Sequence, residues 1–224
     1  MRKIVVLTFD DGTVYDKGFV EMLNRLGIPA TFNLNSGLED FVWHYEDRHP
    51  IHRLKLWENR DLYTGHEVAS HTLTHPYLTG LSENQLLHEV GEDCWNLSRI
   101  FNIEGLLGFG VPFDQCTERE IGILRESGLV RYIRLSEFRE DFSLPEDPFH
   151  IRINALYNDP DVWAKLKAFR DSKEEVAVFV LCGHSYEFEV CEQWGLIEDL
   201  LQTLKNIPGV EFMTTMELVK NFYP

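Results

Sequence analysis

Basic residues are in short supply: 21 Lys and Arg stand against 37 Asp and Glu in 224 residues, a formal net charge of −16. A surface of that sign repels polyanions, which argues against nucleic acid and anionic membranes as partners. It leaves neutral and cationic molecules, such as sugars and amines, compatible. Cysteine is sparse as well. Cys94, Cys116, Cys182 and Cys191 are scattered, with no Cys-x-x-Cys pair, so no disulfide framework is suggested and a reduced protein is expected. No apolar stretch reaches transmembrane length, and Met1-Arg2-Lys3 runs straight into the first strand without a secretory apolar region. A cytoplasmic protein with no membrane partner is therefore expected. Internal repeats, low-complexity segments and linkers are missing too, so one domain over residues 1–224 is expected.

What is present alternates between two periods. Ile4–Phe9 reads as a strand, and Asp16–Leu26 has apolar residues at helical spacing before Gly27. Pro29–Leu34 is a second strand, which makes a βαβ unit. Glu39–Asp61 reads as irregular and aromatic-rich. His66–His71 reads as a short strand running into a loop. Ser82 is a good N-cap for a helix over Glu83–Phe101. Further strands are expected at Leu106–Phe113, Leu129–Leu135, His150–Ile153, Val176–Leu181 and Val210–Met213. Helices are expected at Glu118–Glu126, Asp161–Arg170, Trp194–Lys205 and Thr215–Phe222. The sum is roughly seven βα pairs in an α/β fold.

Three segments carry chemistry. Leu7-Thr8-Phe9-Asp10-Asp11-Gly12 puts two carboxylates at the carboxyl end of a buried strand, where α/β proteins place their reactive groups. Adjacent acids repel unless a cation holds one, which suggests one carboxylate on a metal and one free as a base. His71-Thr72-Leu73-Thr74-His75 spaces two imidazoles four apart, as on one face of a helical turn, within reach of one ion. Two His and one carboxylate suit zinc, and also cobalt, nickel, iron or manganese. In Val178–His184 a histidine directly follows the most apolar strand, where it can serve as a general acid.

Together, Asp-Asp-Gly after the first strand, His-Thr-x-x-His after an early one and Leu-x-x-His after a late one resemble the polysaccharide deacetylase family. The resemblance implies a distorted (β/α)7 TIM-like barrel and a metal-dependent hydrolase that removes an N- or O-linked acetyl group from a carbohydrate. It implies Asp11, His71 and His75 as metal ligands, zinc first among the ions. It implies Asp10 as catalytic base, His184 as general acid and the backbone N–H of Phe113 as oxyanion donor.

One departure stands out. Where the family carries Arg-x-Pro-Tyr, this chain reads Gly110-Val111-Pro112-Phe113, with glycine in the arginine's place. The family's arginine pairs with the base. Arg134, and after it Arg131, is the candidate to replace it from the next strand, because both arginines sit in an apolar segment. Past the acid, Tyr186 and Phe188 alternate with polar residues and can stack on a sugar, with Glu187 hydrogen-bonding to it. Trp43, Tyr45, Trp57, Tyr77 and Trp194 are candidates to line a carbohydrate cleft, a minority of them in contact with ligand. His66 is expected to be structural, and His44, His49 and His52 solvated. Two other readings stay open: a hydrolase of another linear or cyclic amide of the ureide type, and a metal-retaining sugar-binding protein with little turnover.

Overall fold

In the computed structural model, which describes residues 1–113 and 115–223, strands and helices alternate along the chain. β1 (Arg2–Asp10) leads through α1 (Asp16–Leu26) to β2 (Thr31–Leu34). A hairpin of β3 (Val42–Tyr45) and β4 (His49–His52) precedes β5 (Glu67–Ser70), α2 (Glu83–Phe101), β6 (Phe109–Gly110), α3 (Glu118–Ser127) and β7 (Ile133–Phe138). Then come β8 (Ile151–Ile153), β9 (Ala155–Leu156), α4 (Val162–Asp171), β10 (Val176–His184), α5 (Ser185–Val190), α6 (Trp194–Lys205), β11 (Val210–Met213) and α7 (Thr215–Phe222). Local chemistry marks several ends: Ser82 and Gln85 form a capping box on α2, Thr117 and Glu120 another on α3, and Gly27 ends α1 in the left-handed conformation.

Outside the hairpin the ladders among these strands are parallel. β1 pairs with β10 along its whole length, with β2 at Thr8–Asp10 and with β11 at Lys3–Val6. From β2 the sheet continues through β5, β6 and β7 to β8, while β9 lies on the other side of β10. Only Asn154 separates β8 from β9. Its backbone N–H donates to Val180 O, and its side-chain oxygen accepts from Val180 N at 2.9 Å. The chain itself thus closes the circle where no ladder does. With β8 and β9 as one bent strand, β1, β2, β5, β6, β7 and β10 complete a distorted (β/α)7 barrel.

The period of two along each strand sorts the side chains. Val5, Leu7 and Phe9 of β1 pack outward with Phe32, Ile133, Phe179 and Leu181 against the helices. Ile4 and Val6 turn inward with Ile151, Ile153, Val178 and Val180, and Leu218 and Val219 of α7 plug that end. Each such aliphatic side chain withdrawn from water contributes about 1.5–3 kcal/mol. Continuing the inward parity carries β1 to Thr8 and Asp10, β10 to Cys182 and His184, and β7 from Tyr132 to Arg134. The barrel is apolar at its base and polar at the carboxyl ends of its strands.

Two expectations need correction. Glu39–Asp61 is not irregular: Val42 pairs with His52 and Trp43 with Ile51, and the fully buried Ile51 anchors the hairpin to the body. The segment after His184 is the short helix α5, so Tyr186 and Phe188 diverge. Tyr186 faces the cavity described below, whereas Phe188 is fully buried among Phe9, Phe19, Tyr157 and Trp194.

Candidate active site

Asp10 and Asp11 sit where β1 ends. Asp10 is the last strand residue, aligned with Asn33 on β2 and His184 on β10. Asp11 leaves the strand with φ +88°, a left-handed conformation that a non-glycine residue adopts only when its surroundings hold it there. Both carboxylates are buried.

Arg134 Nη2 donates to Asp10 Oδ1 at 2.5 Å, and Asn33 Nδ2 donates to the same oxygen at 2.7 Å. Among the described residues the hydrogen-bond partner of Asp10 Oδ2 is the Cys182 thiol, at 3.9 Å. One oxygen is therefore saturated and the other keeps its lone pairs for chemistry. Gly110 and Arg134 are paired in adjacent strands. A Cβ at position 110 would lie 2.7 Å from Arg134 Nη2 and 2.6 Å from Asn33 Cγ. Glycine stands at 110 because the guanidinium reaching across from β7 fills that space. Arg131, three residues earlier and so of opposite parity, bonds Tyr223 O at 2.6 Å and does not reach the site.

His71 and His75 converge on Asp11, their ring centroids 4.8 Å apart. Their Nε2 atoms lie 4.0 and 3.5 Å from Asp11 Oδ1. They do not share a helical turn as the spacing suggested. Thr72 and His75 have φ of +70° and +58°, which no right-handed helix accommodates, and a loop brings the rings together instead. Asn35 Nδ2 pins that loop through the carbonyls of His71 and Thr72. Buried Asp93 holds its entry, accepting from Ser70 Oγ at 2.6 Å and from His71 N at 3.2 Å. Burial raises the Asp93 carboxyl to about 7.

His71 Nδ1 lies 2.7 Å from Gly110 O. A carbonyl only accepts, so Nδ1 carries the proton and Nε2 presents its lone pair toward Asp11. Burial, then the neighbouring His75, hold His71 well below the ordinary histidine range, and burial lowers His75 as well. Both imidazoles are neutral at pH 7. Burial works against ionisation of Asp11, but Arg53 and the three imidazoles keep its carboxyl below the usual carboxylate value. Two neutral imidazoles and a carboxylate, with ligand atoms within 4.8 Å of one another, fit a divalent cation.

His184 faces Asp11 from β10, its Nε2 4.0 Å from Asp11 Oδ2 and its Nδ1 3.4 Å from Glu187 Oε1. Burial disfavours its charged form. The Glu187 carboxylate, with Asp11 and Asp10, outweighs that and raises it to about 9.

Arg53 is the residue that sequence reasoning missed. It follows β4, is buried, and donates from Nη2 to Asp11 Oδ1 at 2.9 Å, while Nη1 bonds Asp11 O and Asn35 Oδ1. Its guanidinium carbon lies 4.8 Å from the Trp43 ring centroid. Nothing local in a segment read as irregular marks this arginine, because its partners lie 18 and 42 residues away. Asn33 and Asp93 carried a weak signal, each a polar residue amid apolar neighbours of a strand or helix. Removing Arg53 (Arg53→Met) leaves the Asp11 carboxylate buried without its cation, which costs about 3–5 kcal/mol. Urea unfolding of chelated protein should show that loss. Added zinc should narrow the gap, because an ion on Asp11 replaces the missing positive charge. A gap that zinc leaves unchanged would separate Arg53 from the ligand cluster.

These groups open on a cavity of about 560 Å3, also lined by Trp43, Tyr186 and Phe113. Trp43 and Tyr186 meet edge to face at 5.5 Å. Phe113, with φ +54°, packs 4.5 Å from the His75 ring and stacks on Tyr77 at 4.1 Å. Trp57 lies in a separate groove with Trp95, and Trp194 packs in the core on Phe188. His66 is structural, accepting from Ala30 N at 3.2 Å. His44, His49 and His52 are exposed on the hairpin.

The family described as polysaccharide deacetylase matches residues 1–131. No curated protein matches the chain. Similar solved structures include the Xyl-CE4 domain of a multidomain xylanase from the hindgut metagenome of Trinervitermes trinervoides. It is 18% identical, with 99% of this chain and 91% of that one covered and a TM-score of 0.65. The chitin deacetylase of Colletotrichum lindemuthianum is 21% identical over 97% and 88% of the two chains, with a TM-score of 0.64. A family 4 acetyl xylan esterase from Clostridium thermocellum, in complex with a cobalt ion, is 16% identical over 98% and 91%, with a TM-score of 0.66. Among the described residues no helix is long and apolar enough to cross a membrane.

Proposed function

This chain belongs to the polysaccharide deacetylase family, and from that premise we propose that residues 1–224 are a metal-dependent hydrolase removing an acetyl group from a carbohydrate. The observation that carries the reading is the Asp10 carboxylate, with Oδ1 held by Arg134 and Asn33 and Oδ2 left for a proton, beside the Asp11–His71–His75 cluster. Asp11, His71 and His75 would hold the ion, for which zinc suits the donor set, with cobalt, nickel, iron or manganese as alternatives. A divalent cation there supplies Lewis acidity toward an acetyl carbonyl and its attacking water.

The chain's own groups do the rest. Asp10 Oδ2 takes the proton from the attacking water. Arg134 and Asn33 keep that carboxylate oriented and ionised without occupying its reactive oxygen. The backbone N–H of Phe113, set by its left-handed turn, serves the developing oxyanion. His184, charged at neutral pH, protonates the departing amine or hydroxyl. Trp43 and Tyr186 flank the sugar.

Acetate release tests this directly. Zinc- or cobalt-loaded protein should release acetate from chito-oligosaccharides or acetylated chromogenic esters and stop when chelated. Release that survives full chelation would overturn the metal requirement. Hydrolysis of a ureide in place of any acetylated sugar would favour the amide reading. The binding-only reading drew on the missing arginine, and Arg134 on Asp10 supports turnover instead.

A pH prediction follows from His184. Without an ion its charge is retained as pH rises toward about 9; a cation on Asp11 offsets the Asp11 share of that attraction, so kcat of the metal-loaded protein should fall along an alkaline limb lying below about pH 9. The associated ionic stabilisation disappears in the same direction. Glu187→Gln weakens the attraction and should move that limb to lower pH, measured as a kcat–pH profile. An unmoved limb would exclude His184 as the acid that Glu187 charges.

A further inference from the structure

The cavity over Asp10 is small-molecule sized, about 560 Å3, and away from the acids, the histidines and Tyr186 its lining offers few free hydrogen-bonding groups. Among its polar lining, Thr74 is already committed to Glu89 through both its hydroxyl (2.7 Å) and its N–H (2.9 Å). The Ser136 hydroxyl accepts from Arg134 Nη1 at 2.9 Å. Arg53 is spent on Asp11 and Asn35. Apart from the carboxylates, the histidines, Cys182 and Tyr186, the rest of the lining is aliphatic or aromatic, with Leu38, Ile153 and Leu156 among it. At the mouth stand Phe41, Phe113 and Phe138, left 50, 41 and 48% exposed.

A sugar hydroxyl pressed against such a wall without a partner loses its hydrogen bonds to water and gains none in return. An apolar group laid on the same wall gains from every part of its surface withdrawn from water. Three half-exposed phenylalanines around one opening form the kind of surface that a ligand covers. The Phe113–Tyr77 stack, 19° between planes, makes part of that surface flat. The overall charge of −16 disfavours an anionic substituent at the rim.

We infer that the acetylated sugar taken here carries an uncharged, flat apolar substituent such as an aryl group, and that Phe41 and Phe138 select for it. This rests on the deacetylase reading for the reaction, but the selection is a matter of binding and can be measured apart from it. Calorimetric titration of zinc-loaded protein with glucosamine and with phenyl β-glucosaminide uses compounds that have no acetyl group to lose. The phenyl glycoside should bind at least about tenfold more tightly, equivalent to about 1.4 kcal/mol. Phe41→Ser and Phe138→Ser should each reduce that ratio several-fold. Both residues are about half exposed, so neither change removes a core side chain. Equal affinity for the two ligands, or a ratio unchanged in both variants, would overturn the inference. Acetate release from the two N-acetylated counterparts is read separately: failure on both would sink the deacetylase reading and leave the binding ratio to decide the selectivity.

Discussion

Arg134→Met should lower the thermal unfolding midpoint by about 6–20 °C and suppress acetate release even at temperatures where the variant is fully folded. The side chain is completely buried and its guanidinium lies 2.5 Å from Asp10 Oδ1. Removing one partner of a buried pair costs about 3–5 kcal/mol, because the other charge stays behind in a medium that cannot solvate it. For a chain of this size each kcal/mol is worth about 2–4 °C. Methionine fills much of the volume, so the loss reports charge and hydrogen bonding rather than a cavity. Calorimetry gives the midpoint, and kcat/KM at 10 °C separates orientation of Asp10 from unfolding. A variant that melts early but turns over normally in the cold would reduce Arg134 to a purely structural element. Arginine cannot simply be returned to position 110, since its Cβ would collide with Asn33 as well as Arg134.

The two adjacent acids should fail in different ways. Asp10→Asn keeps shape and hydrogen-bond acceptor for Arg134 but removes the base, so kcat/KM should fall by about 10²–10⁴ while metal content stays near that of the wild type. Asp11→Asn weakens one ligand of three and should release metal on dialysis, with activity lost as a consequence. Metal per chain by plasma emission, set beside acetate release, distinguishes them. If Asp10→Asn lost the metal and Asp11→Asn kept it, the two roles would have to be exchanged. Normal turnover by Asp10→Asn would remove it from the reaction altogether.

Much of the barrel was written locally. Helix ends at Gly27, Ser82 and Thr214 rest on capping groups within a few residues, and β1 and β10 are apolar enough to be buried on both faces. The His71–His75 pair was visible as a spacing, but its helical geometry was not real. Left-handed Thr72 and His75 are stabilised by Asn35 and Asp93, which are remote in sequence. The hairpin at β3–β4 was hidden for a related reason. Its segment is crowded with histidine and aromatic side chains, and its pairing is fixed by how Ile51 and Arg53 dock on the body.

By itself the sequence determined the alternating α/β order, the acidic surface and the three motifs that bring a carboxylate pair and three imidazoles to the strand ends. All of these depend on periods of two or 3.6 residues, or on residue types a few positions apart. The sequence offered Arg134 or Arg131 for Asp10 and no cation for Asp11, and the tertiary structure decided which one each carboxylate meets. Arg134 reaches Asp10 because β7 lies beside β6 with an inward parity and a glycine opposite. Arg53 reaches Asp11 because a hairpin folds over the rim. Such pairings connect residues 124 and 42 positions apart, and their energy comes from burial, which no local pattern of residues encodes.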